Sequence, residues 1–181
     1  MTDRWDFSKH PQCGGCLNTG WDAGVVGIPC TRCPLGDGAM MATCLPAKIQ
    51  EWRRANGKIA ITGGPRSGKT VLADRLEAIG LPVMRADFLR HSHAWSEVSE
   101  EISRWFDEPG SMIVEGVRVP YGLRKWLRAH PTGRPCGLVV WANVAQVPRT
   151  PGQESMAKAV TTVFTEIRSE LRRRGVEIIE V

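Results

Sequence analysis

The sequence predicts an α/β domain, a five-stranded parallel sheet with helices on both faces, preceded by a small module organised by four cysteines. Three observations predict it. From Lys58 onward, short apolar runs alternate with amphipathic helical patterns. A glycine-rich turn joins the first apolar run to the first helical pattern. Residues 1–46 are rich in Cys, Gly and Pro and poor in apolar periodicity, so that segment cannot bury a core unaided.

The elements follow in order. KIAIT (58–62) reads as the first strand, and the helix after the turn runs from Lys69 to Ile79, closed by Gly80. LPVMR (81–85) is the second strand. Ser96 caps the next helix, which carries Val98, Ile102 and Trp105 on one face and stops at Pro109-Gly110. SMIVE (111–115) is the third strand, followed by a helix around Tyr121 to Ala129. GLVVWA (137–142) is the fourth. The last helix shows Met156, Val160, Val163, Phe164, Ile167 and Leu171 at helical spacing and ends at Gly175, and VEIIEV supplies the fifth strand. Strands alternating with helices imply parallel pairing, and in such sheets function gathers at the carboxyl ends of the strands. Ala47 to Ala55 reads as a short connecting helix ended by Asn56-Gly57. The expected organisation is therefore a module at 1–46, a connector at 47–57 and the α/β domain at 58–181.

Composition narrows the function classes. Hydrophobic residues are 42% and charged residues 24% of the 181 residues, which suits a folded domain and argues against wholesale disorder. No run approaches the roughly 20 apolar residues that cross a bilayer, and no signal peptide opens the chain, so no membrane partner and a cytoplasmic location are expected (the host cytoplasm, for a viral protein). Lys and Arg number 24 against 19 acids, a net charge of +5. Between Gly116 and Gln153 there is no Asp or Glu, while Arg118, Arg124, Lys125, Arg128, Arg134 and Arg149 all fall there. That run reads as a surface facing phosphates, with a helix face paired to acids elsewhere as the alternative.

Gly63-Gly64-Pro65-Arg66-Ser67-Gly68-Lys69-Thr70 matches G-x-x-x-x-G-K-[ST] without a gap, between a predicted strand and a predicted helix. The glycines let consecutive N–H groups curl around phosphate oxygens. Lys69 is placed to reach the β- and γ-phosphates, and the Thr70 hydroxyl to hold Mg²⁺. On these residues, residues 58–181 resemble the P-loop nucleoside and nucleotide kinases. The resemblance implies ATP and Mg²⁺ as cofactors and transfer of the terminal phosphoryl group to an acceptor hydroxyl or phosphate.

Phosphoryl transfer needs an in-line acceptor, neutralised charge and a carboxylate near the attacking hydroxyl. Asp87, just past the second strand in Met84-Arg85-Ala86-Asp87-Phe88-Leu89-Arg90, sits at the expected edge. It is similar to the acid of uridine-kinase-like and polynucleotide-kinase-like enzymes that accepts the hydroxyl proton. Asp87 is thus the expected general base and Arg90 a substrate contact. Glu115 ends the third strand and is expected to bind Mg²⁺ through water; its IVEG run is similar to one in uridine-kinase-like proteins. A short lid between the fourth strand and the last helix, Asn143 to Glu154, carries Arg149 as a candidate for neutralising transition-state charge, with Arg118 as a candidate substrate contact.

Cys13-Gly-Gly-Cys16 and Cys30-Thr-Arg-Cys33 form two C-x₂-C pairs with thirteen residues between them. Four thiolates at this spacing are expected to complete a tetrahedral, structural Zn²⁺ site, with disulfides or free thiols as the alternative. The segment resembles a zinc ribbon, or half of the cysteine-rich module of co-chaperones. Cys44 and Cys136 lack partners at ligand spacing and read as plain buried residues.

Together these features point to an ATP-dependent kinase acting on a hydroxyl of a nucleotide held in DNA. The architecture is similar to the small bacteriophage P-loop kinases that phosphorylate 5-hydroxymethyluracil within DNA. A polynucleotide 5′-kinase and a free nucleoside kinase are the alternatives within the class. A nucleotide-switched adaptor that binds DNA or protein without catalysis is the alternative outside it.

Overall fold

The computed structural model describes residues 57–78 and 80–181. The four cysteines of the expected zinc module, the module boundary and the connecting helix lie outside the described residues.

The described chain runs β1 (Ile59–Thr62), α1 (Lys69–Ala78), β2 (Val83–Arg85), a 3₁₀ segment (Ala86–His91), α2 (Trp95–Trp105), β3 (Ile113–Glu115), α3 (Val119–Ala129), β4 (Leu138–Trp141), α4 (Pro151–Arg173) and β5 (Glu177–Glu180). All strand pairings are parallel, in the order β2-β3-β1-β4-β5. The connection from β1 to β2 runs opposite to the later ones, so right-handed crossovers put α1 on one face and α2, α3 and α4 on the other. β1 is central, and Ile59, Ala60 and Ile61 are fully buried.

The alternation of strand side chains divides the core between the two faces. Ala60, Val114, Val139 and Trp141 join Val98, Ile102, Leu123, Val160, Phe164 and Leu171 in one cluster under α2, α3 and α4. Trp141 stacks on Phe164 with ring centres 4.0 Å apart. Central parallel strands buried on both faces read as continuous apolar runs, which is why β1 and β4 were legible.

Several local expectations differ from the structure. Ser96 does not cap α2; the cap residue is Ala94, whose N–H donates to the Glu97 carboxylate at 2.8 Å. Serine there reads as a cap by residue type, but the chain turns helical two residues earlier. α4 begins at Pro151, not near Met156, because Thr150 and Gln153 close a reciprocal capping box. Met156 is correspondingly 37% exposed, and Ala157 takes the buried position instead. The expected lid shrinks to the residues before Pro151. The acid-free basic run is not one phosphate-facing surface: Arg124 pairs with Glu166 at 2.8 Å, Lys125 pairs with Glu100, and the half-buried Arg149 turns inward onto backbone carbonyls. Tertiary packing supplies from α2 and α4 the acids that this stretch lacks.

Candidate active site

The loop from Gly63 to Thr70 leaves the carboxyl end of β1 and enters α1, as the motif requires. Its backbone is set by close approaches. Gly63 has φ +142°, and a methyl group there would lie 1.8 Å from the Ala142 carbonyl oxygen. Only glycine lets the loop pass the end of β4. Ser67 Oγ donates to the Gly64 carbonyl at 2.9 Å, and Lys69 Nζ donates to the same oxygen at 2.6 Å. Lys69 is thereby folded back over the loop, 5% exposed.

The neighbouring strand ends bring the acids to this lysine. Burial lowers the Lys69 pKa, while the charges of Glu115 and Asp87 raise it and that of Arg149 lowers it further. Glu115, 2% exposed, has its pKa raised, first by burial; Lys69 opposes this, Asp87 adds to it, and a hydrogen bond from the Thr70 side chain favours the charged form. Lys69, Thr70, Asp87, Glu115 and Arg149 therefore form one electrostatic cluster at the carboxyl edge of β1, β2 and β3. Asp87 is exposed, on the 3₁₀ segment that follows β2. A buried glutamate beside a threonine hydroxyl is a hard-oxygen pair of the kind Mg²⁺ accepts, and a cation there would offset the cost of burying the carboxylate.

The remaining expected residues fall differently. Arg118 precedes α3 at the same edge of the sheet, but its guanidinium lies 4.8 Å over the Tyr121 ring. Arg90 belongs to the 3₁₀ segment, and its side chain lies outside the described ones. Arg149 is directed at the P-loop backbone: Nε donates to the Pro65 carbonyl at 2.7 Å and a terminal nitrogen to the Asn143 carbonyl at 2.9 Å. Cys136 is buried and its pKa is pushed up to about 12, so it is an inert packing residue, as expected. Among the described residues no group of three or more His, Cys, Asp or Glu could hold a metal ion.

Two contributors escaped the sequence reading. Arg85 pairs with Asp74 at 2.8 Å and Glu77 at 2.5 Å, tying the end of β2 to α1 and adding positive charge near Glu115. Thr62 Oγ1 donates to the Gly116 carbonyl at 2.9 Å, clamping the ends of β1 and β3 together. Arg85 had a signal, a cation at a strand end facing acids at helical spacing; Thr62 had none.

A parallel sheet in this strand order with a phosphate-binding loop after its central strand defines a P-loop fold. The shikimate kinase from Acinetobacter baumannii, in complex with shikimate, is similar to this chain at 11% identity and a TM-score of 0.43, covering 74% of this chain and 87% of that one. The shikimate kinase from Bacteroides thetaiotaomicron is similar at 14% identity and a TM-score of 0.38, covering 68% and 85%. No family model matches the chain, and no curated protein matches it.

Proposed function

We propose that the protein is an ATP-dependent kinase that transfers the γ-phosphoryl group to a hydroxyl of a nucleotide held in DNA. The observation that carries the kinase reading is the placement of the phosphate loop after β1, Glu115 at the end of the neighbouring β3 and Asp87 on the segment that follows β2, all at one edge of the sheet. A hydrolase or motor needs a water-positioning group; a kinase needs a carboxylate on the acceptor side, and Asp87 supplies one.

The backbone N–H groups of the loop, those of residues 63–70 other than Pro65, hold the phosphates, and Lys69 leaves the Gly64 carbonyl to pair with them. Thr70, and Glu115 through water, would hold magnesium, which when bound would neutralise phosphate charge. The acceptor oxygen attacks the γ-phosphorus, and the bond from that phosphorus to the β–γ bridging oxygen breaks. ADP leaves with the electron pair. Asp87 takes the hydroxyl proton. A short β4–α4 connection and an exposed Asp87 leave room for an acceptor that is part of a polymer, and the basic surplus of the chain suits an anionic one. 5-Hydroxymethyluracil in DNA is such an acceptor.

The test is a labelled-phosphate screen over hydroxymethyluracil DNA, thymine DNA, 5′-hydroxyl oligonucleotides, free nucleosides and shikimate. Label on DNA only when hydroxymethyluracil is present is the expected result. Label on shikimate or a nucleoside overturns the polymer acceptor, and label on nothing overturns the kinase. Asp87→Asn should lower transfer roughly 10²–10⁴-fold while leaving nucleotide affinity unchanged. A nucleotide-switched adaptor would keep its partner binding in that variant.

A further inference from the structure

Arg149 occupies a position that a mobile, charge-delivering arginine would not. Its side chain is 8% exposed, it donates to Pro65 and Asn143 carbonyls at 2.7 and 2.9 Å, and Glu154 lies 3.8 Å away. The loop carrying it is tied to the P-loop at two further points. The Gln146 N–H donates to the Arg66 carbonyl at 2.8 Å, and the Arg66 guanidinium donates to the Pro148 carbonyl at 3.0 Å. Gly64 is what lets the guanidinium in: a methyl group there would sit 2.4 Å from an Arg149 terminal nitrogen and 2.9 Å from its central carbon.

We propose that Arg149 is a positioning residue that clamps the P-loop in its phosphate-ready shape before nucleotide arrives, and that the β4–α4 loop is a fixed wall rather than a closing lid. This rests on the reading of residues 63–70 as a nucleotide cradle. The physical reason is preorganisation. A glycine-rich loop loses much backbone freedom when it closes on phosphates. With the Pro65 carbonyl held by the guanidinium and the Arg66 carbonyl by the Gln146 N–H, two peptide units of the loop are fixed in advance, so part of that ordering is already made. Arg149 then acts on nucleotide affinity through Pro65 and not on the transition state.

The experiment is calorimetric titration of Mg·ADP into the full-length protein, paired with steady-state kinetics. Arg149→Ala should weaken Mg·ADP binding roughly tenfold or more and raise KM for ATP, with kcat at saturating ATP held within about threefold. Gly64→Ala, which expels the guanidinium but keeps its charge in the chain, should reproduce the affinity loss. In the Arg149→Ala background the same glycine change should cost much less, a coupling that general destabilisation would not produce. If Arg149→Ala fails to fold, Arg149→Lys and Gly64→Ala carry the test. A variant with unchanged Mg·ADP affinity and a kcat lowered a hundredfold overturns the proposal in favour of a transition-state role. Additive losses for the two changes overturn it as well. Wild-type protein that binds no Mg·ADP removes the cradle reading itself, an outcome distinct from either.

Discussion

Glu115 is a carboxylate buried beside a lysine, and its raised pKa makes it a reporter of the site. The native state binds its proton more tightly than the unfolded chain, whose glutamates titrate at about 4.5. The stabilisation from that proton is complete below the ordinary value and is lost as pH rises through the folded one. Nucleotide-free protein should therefore melt at falling temperature across that window, and Glu115→Gln should flatten this part of the profile. A slope that survives in the variant assigns the titration to another group. Lys69 is perturbed in the opposite sense, and Lys69→Met should weaken Mg·ADP binding about 10–100-fold, since a charge-assisted hydrogen bond contributes roughly 1.5–3 kcal/mol. Of the cluster, Lys69 and Thr70 were legible from the motif, and Asp87 and Glu115 from their places at strand ends. What Arg149 touches was not legible, because its partners are the carbonyl of Pro65, distant in the chain, and that of Asn143 in its own loop, and carbonyls carry no sequence signature.

The elements were legible wherever apolar periodicity was strong, as in β1, β4 and the body of α4. Their ends depended on caps. Thr150 accepts from the Gln153 N–H at 3.3 Å, and the Gln153 side chain accepts from the Thr150 N–H at 3.0 Å. Thr150→Ala should lower the free energy of unfolding by about 1 kcal/mol in urea titrations. A value near zero would mean that Pro151 alone sets the start of α4. The α2–α3 contact is as demanding. A methyl group at Gly122 would lie 2.3 Å from Ile102 Cγ2 and 3.3 Å from a backbone carbon of the same residue. Gly122→Ala gains about 1 kcal/mol of helix propensity but overpacks the interface at a cost of about 1–3 kcal/mol. The same titrations should show a net loss; a gain would mean that α2 and α3 part easily. The sequence gives Gly122 as a poor helix former, whereas the packing makes it the residue that lets two helices meet.

On the scale of the whole molecule, we propose that Cys13, Cys16, Cys30 and Cys33 hold one zinc ion. Metal analysis of the intact protein should find about one zinc per chain, and Cys13→Ser should abolish it. A metal-free native protein would remove the ribbon. The order of the sheet explains why the site lies where it does. β1 leads out to β2, while β3 leads back across it to β4, so the crossover directions diverge beside β1 and open a crevice at its carboxyl end. The loop of residues 63–70, Asp87 and Glu115 all end at that crevice.

The sequence by itself determined the order of the strands and α-helices and put the loop of residues 63–70, Asp87 and Glu115 at strand ends, because periodicity and motif spacing act over a few residues; the 3₁₀ segment after β2 it did not show. Only the tertiary structure decided which charges meet. Lys125 finds Glu100, Arg124 finds Glu166, and Arg149 turns onto the P-loop. Those pairings join residues far apart in the chain, and it is the packing of helices on the sheet that sets the distances on which electrostatics depends.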